Sequence, residues 1–373
     1  MKFTISKDRL LNSLNVVVRA ISPKNPNPIL TGIKFELNNN GLFLTGSNSD
    51  LSILTKIPLK ENDENLINLQ DIGVAIISSK YVLDIVRKLE GDKVEFEVVD
   101  TVVLIRDGAS EFKLNCMSSE DYPPLDYDVS GVKFTVDAGV VRQIVDQVGF
   151  AASANENRPI LTGVNFKSNG SNLVCVATDS FRLARKTINI QTGQEFNVTI
   201  PAKTLVEIGR VLDNERNVEI SLNDKRVCFT MVHTIIVSRV ISNPYPNTDK
   251  IIPDYFSMEL SVLAQNFAAA IDRASLISIE NNGIVQLSLD AEEVKISSRN
   301  KEIGSVIEKI SAFKYSGDRL DISFSSKYGL EAIKALGCTE VTLKFNETSK
   351  PFVIINKADP SIVQLILPAI TYQ

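Results

Sequence analysis

The pentapeptide Pro-Ile-Leu-Thr-Gly occurs twice, at Pro28–Gly32 and at Pro159–Gly163, 131 residues apart. Its surroundings repeat at the same spacing. Phe3-Thr4-Ile5 matches Phe134-Thr135-Val136, and Gly32-Ile33-Lys34-Phe35 matches Gly163-Val164-Asn165-Phe166, with an apolar-periodic segment before each pentapeptide. A match of this kind constrains the chain to a tandem array of one fold. A third, fainter copy opens at Phe256-Ser257-Met258. It carries Val262, Leu263, Phe267, Ala270, Ile271 and Ala274 at helix-like spacing, and Gly283-Ile284-Val285-Gln286-Leu287 stands where the other copies have their glycine-led strand. Three units in this length are about 124 residues each, enough for an independent core. A repeat this long means whole domains in series, not a solenoid.

Each unit divides again. In the first, Leu10, Leu11, Leu14, Val17, Val18 and Ile21 mark one face of a helix. Ile33, Phe35 and Leu37, a turn at Asn38–Gly41, and Leu42 and Leu44 then read as a hairpin. The scheme restarts with a strand at Val74–Ile77 and a helix through Tyr81, Val82, Ile85, Val86 and Leu89, closed by Gly91. Strands follow at 94–98, 102–105 and 111–114. The second unit repeats this order, with helix faces at Val140, Val141, Ile144, Val145, Val148 and at Leu205, Val206, Ile208, Val211, Leu212. In the third, helices are expected near 262–274 and 328–336, and strands at 284–289, 294–297, 320–324, 341–345 and 352–356. The expected fold class is α+β: six half-units with helices on antiparallel sheets. Proline-rich stretches at 120–125 and 243–253 cannot extend a ladder or a helix and read as linkers. They set the predicted domains at 1–127, 128–252 and 253–373, and their shortness favours fixed domain geometry.

Composition excludes little and motifs exclude more. The formal net charge of −5 argues against a strongly basic nucleic-acid binder but permits a local basic surface. No apolar run is long enough to span a bilayer, and no signal peptide is visible, which predicts a cytoplasmic protein without a membrane partner. Cys116, Cys175, Cys228 and Cys338 lie far apart and read as small hydrophobes in a reducing compartment. The single histidine, His233, sits in an apolar run and reads as a strand residue; neither a zinc site, a phosphate loop nor a nucleophile elbow is present. No metal, cofactor or catalytic residue is expected.

Asp179, within Ala177-Thr178-Asp179-Ser180-Phe181-Arg182-Leu183, is the best candidate carboxylate, although an acid in a turn after a strand is usually an Asx turn. A cytosolic enzyme with an unrecognised carboxylate site on a triplicated scaffold stays open as an alternative, and a scaffold or adhesion protein as a third. The six expected helical segments hold 11 basic and 9 acidic residues, leaving the remainder at −7. Such a balance fits ordinary solvated helices, or helices that meet a polyanion through weak, sequence-indifferent phosphate contacts.

The Arg158–Gly163 and Ala177–Leu183 segments, the terminal Gln364-Leu365-Ile366-Leu367-Pro368, the length and the three-unit order together resemble the bacterial sliding-clamp family, the beta subunits of the replicative DNA polymerase III. The resemblance covers the full chain. It implies three tandem clamp domains that form a ring as a head-to-tail homodimer, with helices lining the hole and sheets on the rim. It also implies a non-catalytic processivity factor that holds duplex DNA topologically, without reading sequence. Partners would be the replicative polymerase, the clamp loader and repair proteins, each docking a short peptide between the second and third domains. Carried over residue by residue, that pocket takes Leu161, Thr178, Ser180, Phe181, Arg182 and Leu183, then Pro246, Lys250 and Ile251 from the linker, and Tyr328, Leu367, Pro368 and Ala369. DNA-facing positions are Lys24, Lys80 and Asn155. The dimer seam would join Phe112 and Leu114 to Leu276 and Ile277 of the other subunit. Three departures bear on peptide preference: Phe181 replaces a frequent histidine, Lys250 an arginine with its planar donor fork, and Ile370 another arginine.

Overall fold

A computed structural model describes residues 1–212, 216–278, 283–311 and 313–369. Six α-helices lie among them: α1 (Lys7–Val17), α2 (Ser79–Lys88), α3 (Ala138–Gln147), α4 (Ala202–Val211), α5 (Ala264–Ser278) and α6 (Ser326–Leu336). Each follows a strand without an intervening loop, and each opens a half-unit of strand, helix and further antiparallel strands. None is long and apolar enough to cross a membrane. The chain forms two compact units, Met1–Ala138 with Glu207–Val240, and Gly139–Val206 with Ile241–Gln373, so the second repeat contributes to both.

The first unit holds two large sheets and a short hairpin, Lys60–Glu61 with Glu64–Asn65. One has five strands in the order Glu111–Asn115, Val102–Arg106, Lys93–Val99, Lys2–Ser6, Ile67–Asp71. The other has eight: Val132–Asp137, Asn217–Leu222, Arg226–Thr230, Thr234–Arg239, Leu51–Ile57, Gly41–Ser47, Gly32–Asn38, Gly73–Ser78. Leu10, Leu14 and Val17 of α1 and Val82 and Val86 of α2 are buried, at one helical face each. Phe96 stacks between Phe3 and Phe35, with ring centroids 5.2 and 5.7 Å away. Each fully buried ring or leucine contributes about 2 kcal/mol of transfer free energy.

The second unit holds a nine-stranded sheet, in the order Glu195–Pro201, Gly163–Asn169, Asn172–Thr178, Arg182–Asn189, Asp359–Ile366, Phe352–Asn356, Glu340–Phe345, Met258–Leu263, Phe313–Ser316. A four-stranded sheet runs Gly304–Ile310, Val294–Asn300, Ile284–Leu289, Leu320–Ser325. Helix α5 buries Phe267, Ala270, Ile271 and Ala274 in the core of this unit. Helix α6 starts on the Ser325 side chain, which accepts from the Tyr328 amide, and stops at Gly337 with φ 59°.

One rule joins the repeats. The third strand after the helix in a repeat's first half pairs antiparallel with the third strand after the helix in the next repeat's second half. Leu51–Ile57 pairs in this way with Thr234–Arg239, placing Leu51 opposite Ser238, and Arg182–Asn189 with Asp359–Ile366, placing Arg182 opposite Ile366. The sheets therefore run unbroken from one repeat into the next. No named helix or strand lies between Asp121 and Val132 or between Arg239 and Met258, at the two proline-rich stretches.

Several local expectations need correction. The third repeat opens on Met258–Leu263, not on Phe256: four residues before the helix stand Phe3, Phe134 and Leu260, all buried. The helix expected from 262 begins at Ala264, because Ser261, Val262 and Leu263 pair with Glu340–Thr342. Helix α2 ends at Lys88, before Gly91. That glycine lets the chain pass Asp107, whose carbonyl oxygen would lie 2.8 Å from an added Cβ. His233 lies in the turn before Thr234–Arg239 and bonds Glu61 at 3.1 Å on the surface.

Candidate functional site

The Thr178–Arg182 turn is built by its own side chains. Asp179 Oδ1 accepts from the amides of Phe181 and Arg182, both at 3.0 Å, and Thr178 Oγ1 accepts from the Ser180 amide at 3.1 Å. Ser180 takes φ 79°, a conformation that side chains other than glycine seldom adopt. These bonds hold it there and push Phe181 into solvent, where its ring is 61% exposed. Asp179 is thus the Asx-turn residue, and its second oxygen is taken by Arg182 Nε at 3.0 Å. No cluster of three potential metal ligands occurs among the described residues.

Arg182 points the other way from Phe181 and is buried. Its guanidinium bonds Asp179, Glu331 of α6 and, at 2.8 Å, the Phe150 carbonyl. It also lies 4.4 Å from the Tyr328 ring centroid and 5.1 Å from that of Phe150. The Tyr328 ring is thereby fixed, and burial, with the Asp179 carboxylate next, pushes its phenol up so that it stays a neutral donor. The chain end is tied down on both sides: Leu367 donates its amide to the Phe181 carbonyl at 2.9 Å, and Ala369 donates to Ser323 at 2.7 Å. Leu367 is 37% exposed beside Phe181.

The structure thus brings Ser180, Phe181, Tyr328 and Leu367 to one surface over the buried Thr178 and Arg182, with Ala369 beyond. Pro368 follows Leu367 and is half-buried. Leu161 and Leu183 are buried at 5% and 2% exposure and offer little free surface as they stand. Leu161 is held by the Pro159–Thr162 turn, and Leu183 packs with Val176, Val353 and Leu365 under Tyr245 and Ile252 of the linker. Pro246, Lys250 and Ile251 are exposed on that linker. Ile370 lies outside the described residues. Phe150 and Glu331, which anchor Arg182, carry no sequence signal; they stand 32 and 149 residues from it.

The other expected positions lie elsewhere in the chain. Lys24 is exposed in the loop before the first Pro-Ile-Leu-Thr turn. Asn155 is exposed, with its side chain accepting from the Asn157 amide. Lys80 is exposed on α2, 5.7 Å from the Tyr81 ring centroid. Phe112, 38% exposed, and Leu114 lie on the edge strand of the five-stranded sheet. Leu276, 62% exposed, and Ile277 lie near the end of α5. Ile307, on the outer strand of the four-stranded sheet, is 65% exposed, and no sequence pattern marks it.

Family models for the N-terminal, central and C-terminal domains of the DNA polymerase III beta subunit match residues 1–126, 135–247 and 249–370. The chain is 40% identical to the beta sliding clamp of Bacillus subtilis, covering all of both chains, and 37% identical to that of Staphylococcus aureus, again over both full lengths. The chain belongs to the DNA polymerase III beta subunit family, the beta sliding clamps. The crystal structure of the B. subtilis clamp superposes with a TM-score of 0.95 over both full chains. That of the Streptococcus pneumoniae beta chain gives 0.95 at 31% identity over 99% of this chain. As a beta sliding clamp the protein is a DNA polymerase processivity subunit and not an enzyme, which sets aside the carboxylate alternative. Its three clamp domains, helices on antiparallel sheets, are those the repeats predicted.

Proposed function

We propose that two copies of this chain close head to tail into a ring around duplex DNA in the cytoplasm, and that partner proteins dock short peptides on the Phe181–Tyr328–Leu367 surface. The observation that carries the ring is the joining rule. Applied once more, it pairs Gly304–Ile310, the third strand after the helix in the third repeat's first half, with Glu111–Asn115, the third strand after the helix in a first repeat's second half. Both are sheet edges here, each bonded on one side only among the described residues. Exposed edges with apolar side chains call for a partner. Aligning the three repeats on the two internal seams sets the register: Leu114 faces Gly304, and Phe112 faces Val306. Identical heterologous contacts that close make a ring in which every seam strand is paired.

A ring needs little affinity, which suits a chain of net charge −5 whose helix cations are partly neutralised, Arg19 and Arg210 both pairing with Glu207. Lys24, Lys80 and Asn155 supply weak, sequence-independent contacts. For the peptide surface, Phe181 and Leu367 give an apolar anchor site and Tyr328 a polar edge, the usual composition of a binding hot spot. The polymerase, clamp loader and repair proteins are the expected partners, and 1–127, 128–252 and 253–373 the domains. The test is to load the protein onto nicked circular DNA with a clamp loader, isolate the complex and linearise the DNA. A ring slides off after cutting; retention on linear DNA would refute the topological reading.

A further inference from the structure

Two of the three repeats cap the edge of their first strand, and the second does not. Lys2–Ser6 lies between Lys93–Val99 and Ile67–Asp71, and Met258–Leu263 between Glu340–Phe345 and Phe313–Ser316. The two caps share one register. Ile67-Asn68-Leu69 stands opposite Ile5-Thr4-Phe3, and Phe313-Lys314-Tyr315 opposite Val262-Ser261-Leu260. Each cap lays two apolar side chains beside a buried apolar pair and sets an exposed polar residue opposite a hydroxyl residue. The first strand of the second repeat, Val132–Asp137, pairs with Asn217–Leu222 and with no other strand among the described residues. The stretch before Glu195–Pro201, which corresponds to Ile67–Asp71 before Gly73–Ser78, is tied elsewhere. There the amides of Ile190 and Thr192 donate to the carbonyls of Ser171 and Gly170, at 3.2 and 2.9 Å. Ala138 donates to the Arg216 carbonyl at 3.0 Å, so the even-numbered residues of Val132–Asp137 bond toward Asn217–Leu222. The amides and carbonyls of Lys133 and Thr135 point the other way. Both residues are exposed, where Lys2 and Thr4 are half-buried and Ser261 is buried. Phe134 and Val136 keep 7% and 4% exposure, against at most 2% for Phe3, Ile5, Leu260 and Val262.

We propose that the Val132–Asp137 edge accepts an extended segment of another protein as an added antiparallel strand, with two apolar residues flanking a polar one. The polar residue exchanges backbone bonds with Thr135, and the apolar pair lies beside Phe134 and Val136. The occupant's chemistry is that of the two caps, which are strands in the same register on the equivalent edges: Ile-Asn-Leu in the first repeat and Phe-Lys-Tyr in the third. Main-chain bonds to an open edge give such an addition its affinity, and the alternate side chains give it selectivity. A second copy of this chain has no cap to give, because both of its caps are paired within their own repeats. The edge shares no residue with the Phe181–Leu367 surface.

The test titrates a fluorescent peptide of residues 66–72 into the intact protein and reads anisotropy. Saturable binding with a Kd below about 1 mM is expected. Thr135→Pro should weaken it at least about tenfold. That change removes an amide that points away from the ladder, a place where a sheet tolerates proline. Phe181→Ala should leave binding unchanged. On the peptide, N-methylation at Asn68, whose amide faces Thr135 in the cap register, should abolish binding, and N-methylation at Leu69, whose amide faces away, should preserve it. Absence of saturable binding up to the millimolar range would overturn the proposal. So would binding that Thr135→Pro leaves intact, or that Phe181→Ala abolishes; the last would place the peptide on the other surface and leave the function proposed above standing. If Thr135→Pro does not fold, the two methylated peptides decide alone, and equal affinities for them refute the site.

Discussion

Residues 47–57 and 178–189 are the same piece of backbone used twice. Asn48 accepts from the amides of Asp50 and Leu51 as Asp179 does from those of Phe181 and Arg182, and Ser49 takes φ 81° where Ser180 takes 79°. The strands that follow both form inter-repeat seams. What differs is the side chains. The first copy presents Asp50 and buries Leu51; the second presents Phe181 and buries Arg182. Further along, Thr55 bonds Thr234 at 3.0 Å, whereas its counterpart Lys186 bonds Asp359 at 3.0 Å. The turn and seam are structural equipment common to both copies, and the second has been given chemistry on top of them.

Substitution at the buried member of each pair separates the two roles most sharply. Arg182→Ala strands the carboxylates of Asp179 and Glu331 and frees Tyr328. It is expected to cost about 2–4 kcal/mol, part of the full buried-pair penalty because Glu331 is 35% exposed. Denaturant unfolding of the intact chain should show this loss, and partner-peptide affinity should fall with it. Arg182→Lys should not restore affinity, since an ammonium cannot satisfy three partners from one plane. Leu51→Ala should cost about 2 kcal/mol by leaving a cavity and leave peptide affinity as it was. Equal effects on affinity would erase the distinction between the copies.

The exposed members give the next largest effect. Phe181→Ala should leave stability within about 0.5 kcal/mol and weaken peptide binding about tenfold, or 1.4 kcal/mol, by isothermal titration. Asp50→Ala should change neither. A smaller difference appears in acid. The Ser361 hydroxyl first, and the Lys186 ammonium after it, hold the Asp359 carboxyl below the usual range. A depressed carboxylate stabilises the fold above its unfolded pKa of about 3.9, and that contribution is lost as pH falls through the folded value. Because the carboxylate is 39% exposed, the contribution is at most about 1 kcal/mol. Asp359→Asn should therefore narrow the stability gap between pH 6 and pH 3, and Thr55→Val, in the other seam, should not.

The pentapeptide and the helix faces were legible because each element carries its own period. The strands Ile284–Leu289 and Phe352–Asn356 have the expected bounds, and helix α6 ends as expected at Leu336 but starts two residues earlier, at Ser326. Two of the strands without a period of their own lie at the seams between repeats or at a sheet edge. Leu51–Ile57 is buried on both faces along most of its length, so no alternation marks it. Gly304–Ile310 is exposed along most of its length for the opposite reason, since it stands at the edge of its sheet. The opening of the third repeat was misplaced because Val262 and Leu263 continue the helical spacing of Phe267 backwards while belonging to a strand. At the site, resemblance supplied Arg182 and Tyr328, but the bond that couples Arg182 to Glu331 joins two repeats, and nothing in either segment alone announces it.

The smallest effect tests whether the two turns are one structure. Ser49 and Ser180 hold nearly the same positive φ, and each has its amide bonded at 3.1 Å by the side-chain oxygen two residues back, Ser47 or Thr178. Replacement by glycine relieves the side-chain penalty of that conformation and raises the entropy of the unfolded chain, so the two terms largely cancel. Ser49→Gly and Ser180→Gly should each shift stability by less than about 1 kcal/mol, and by the same amount within about 0.3 kcal/mol. A larger shift at Ser180 alone would mean that the Phe181–Arg182 pair strains the turn it stands on. The second copy's chemistry would then carry a conformational cost that the first copy, with Asp50 and Leu51, does not bear.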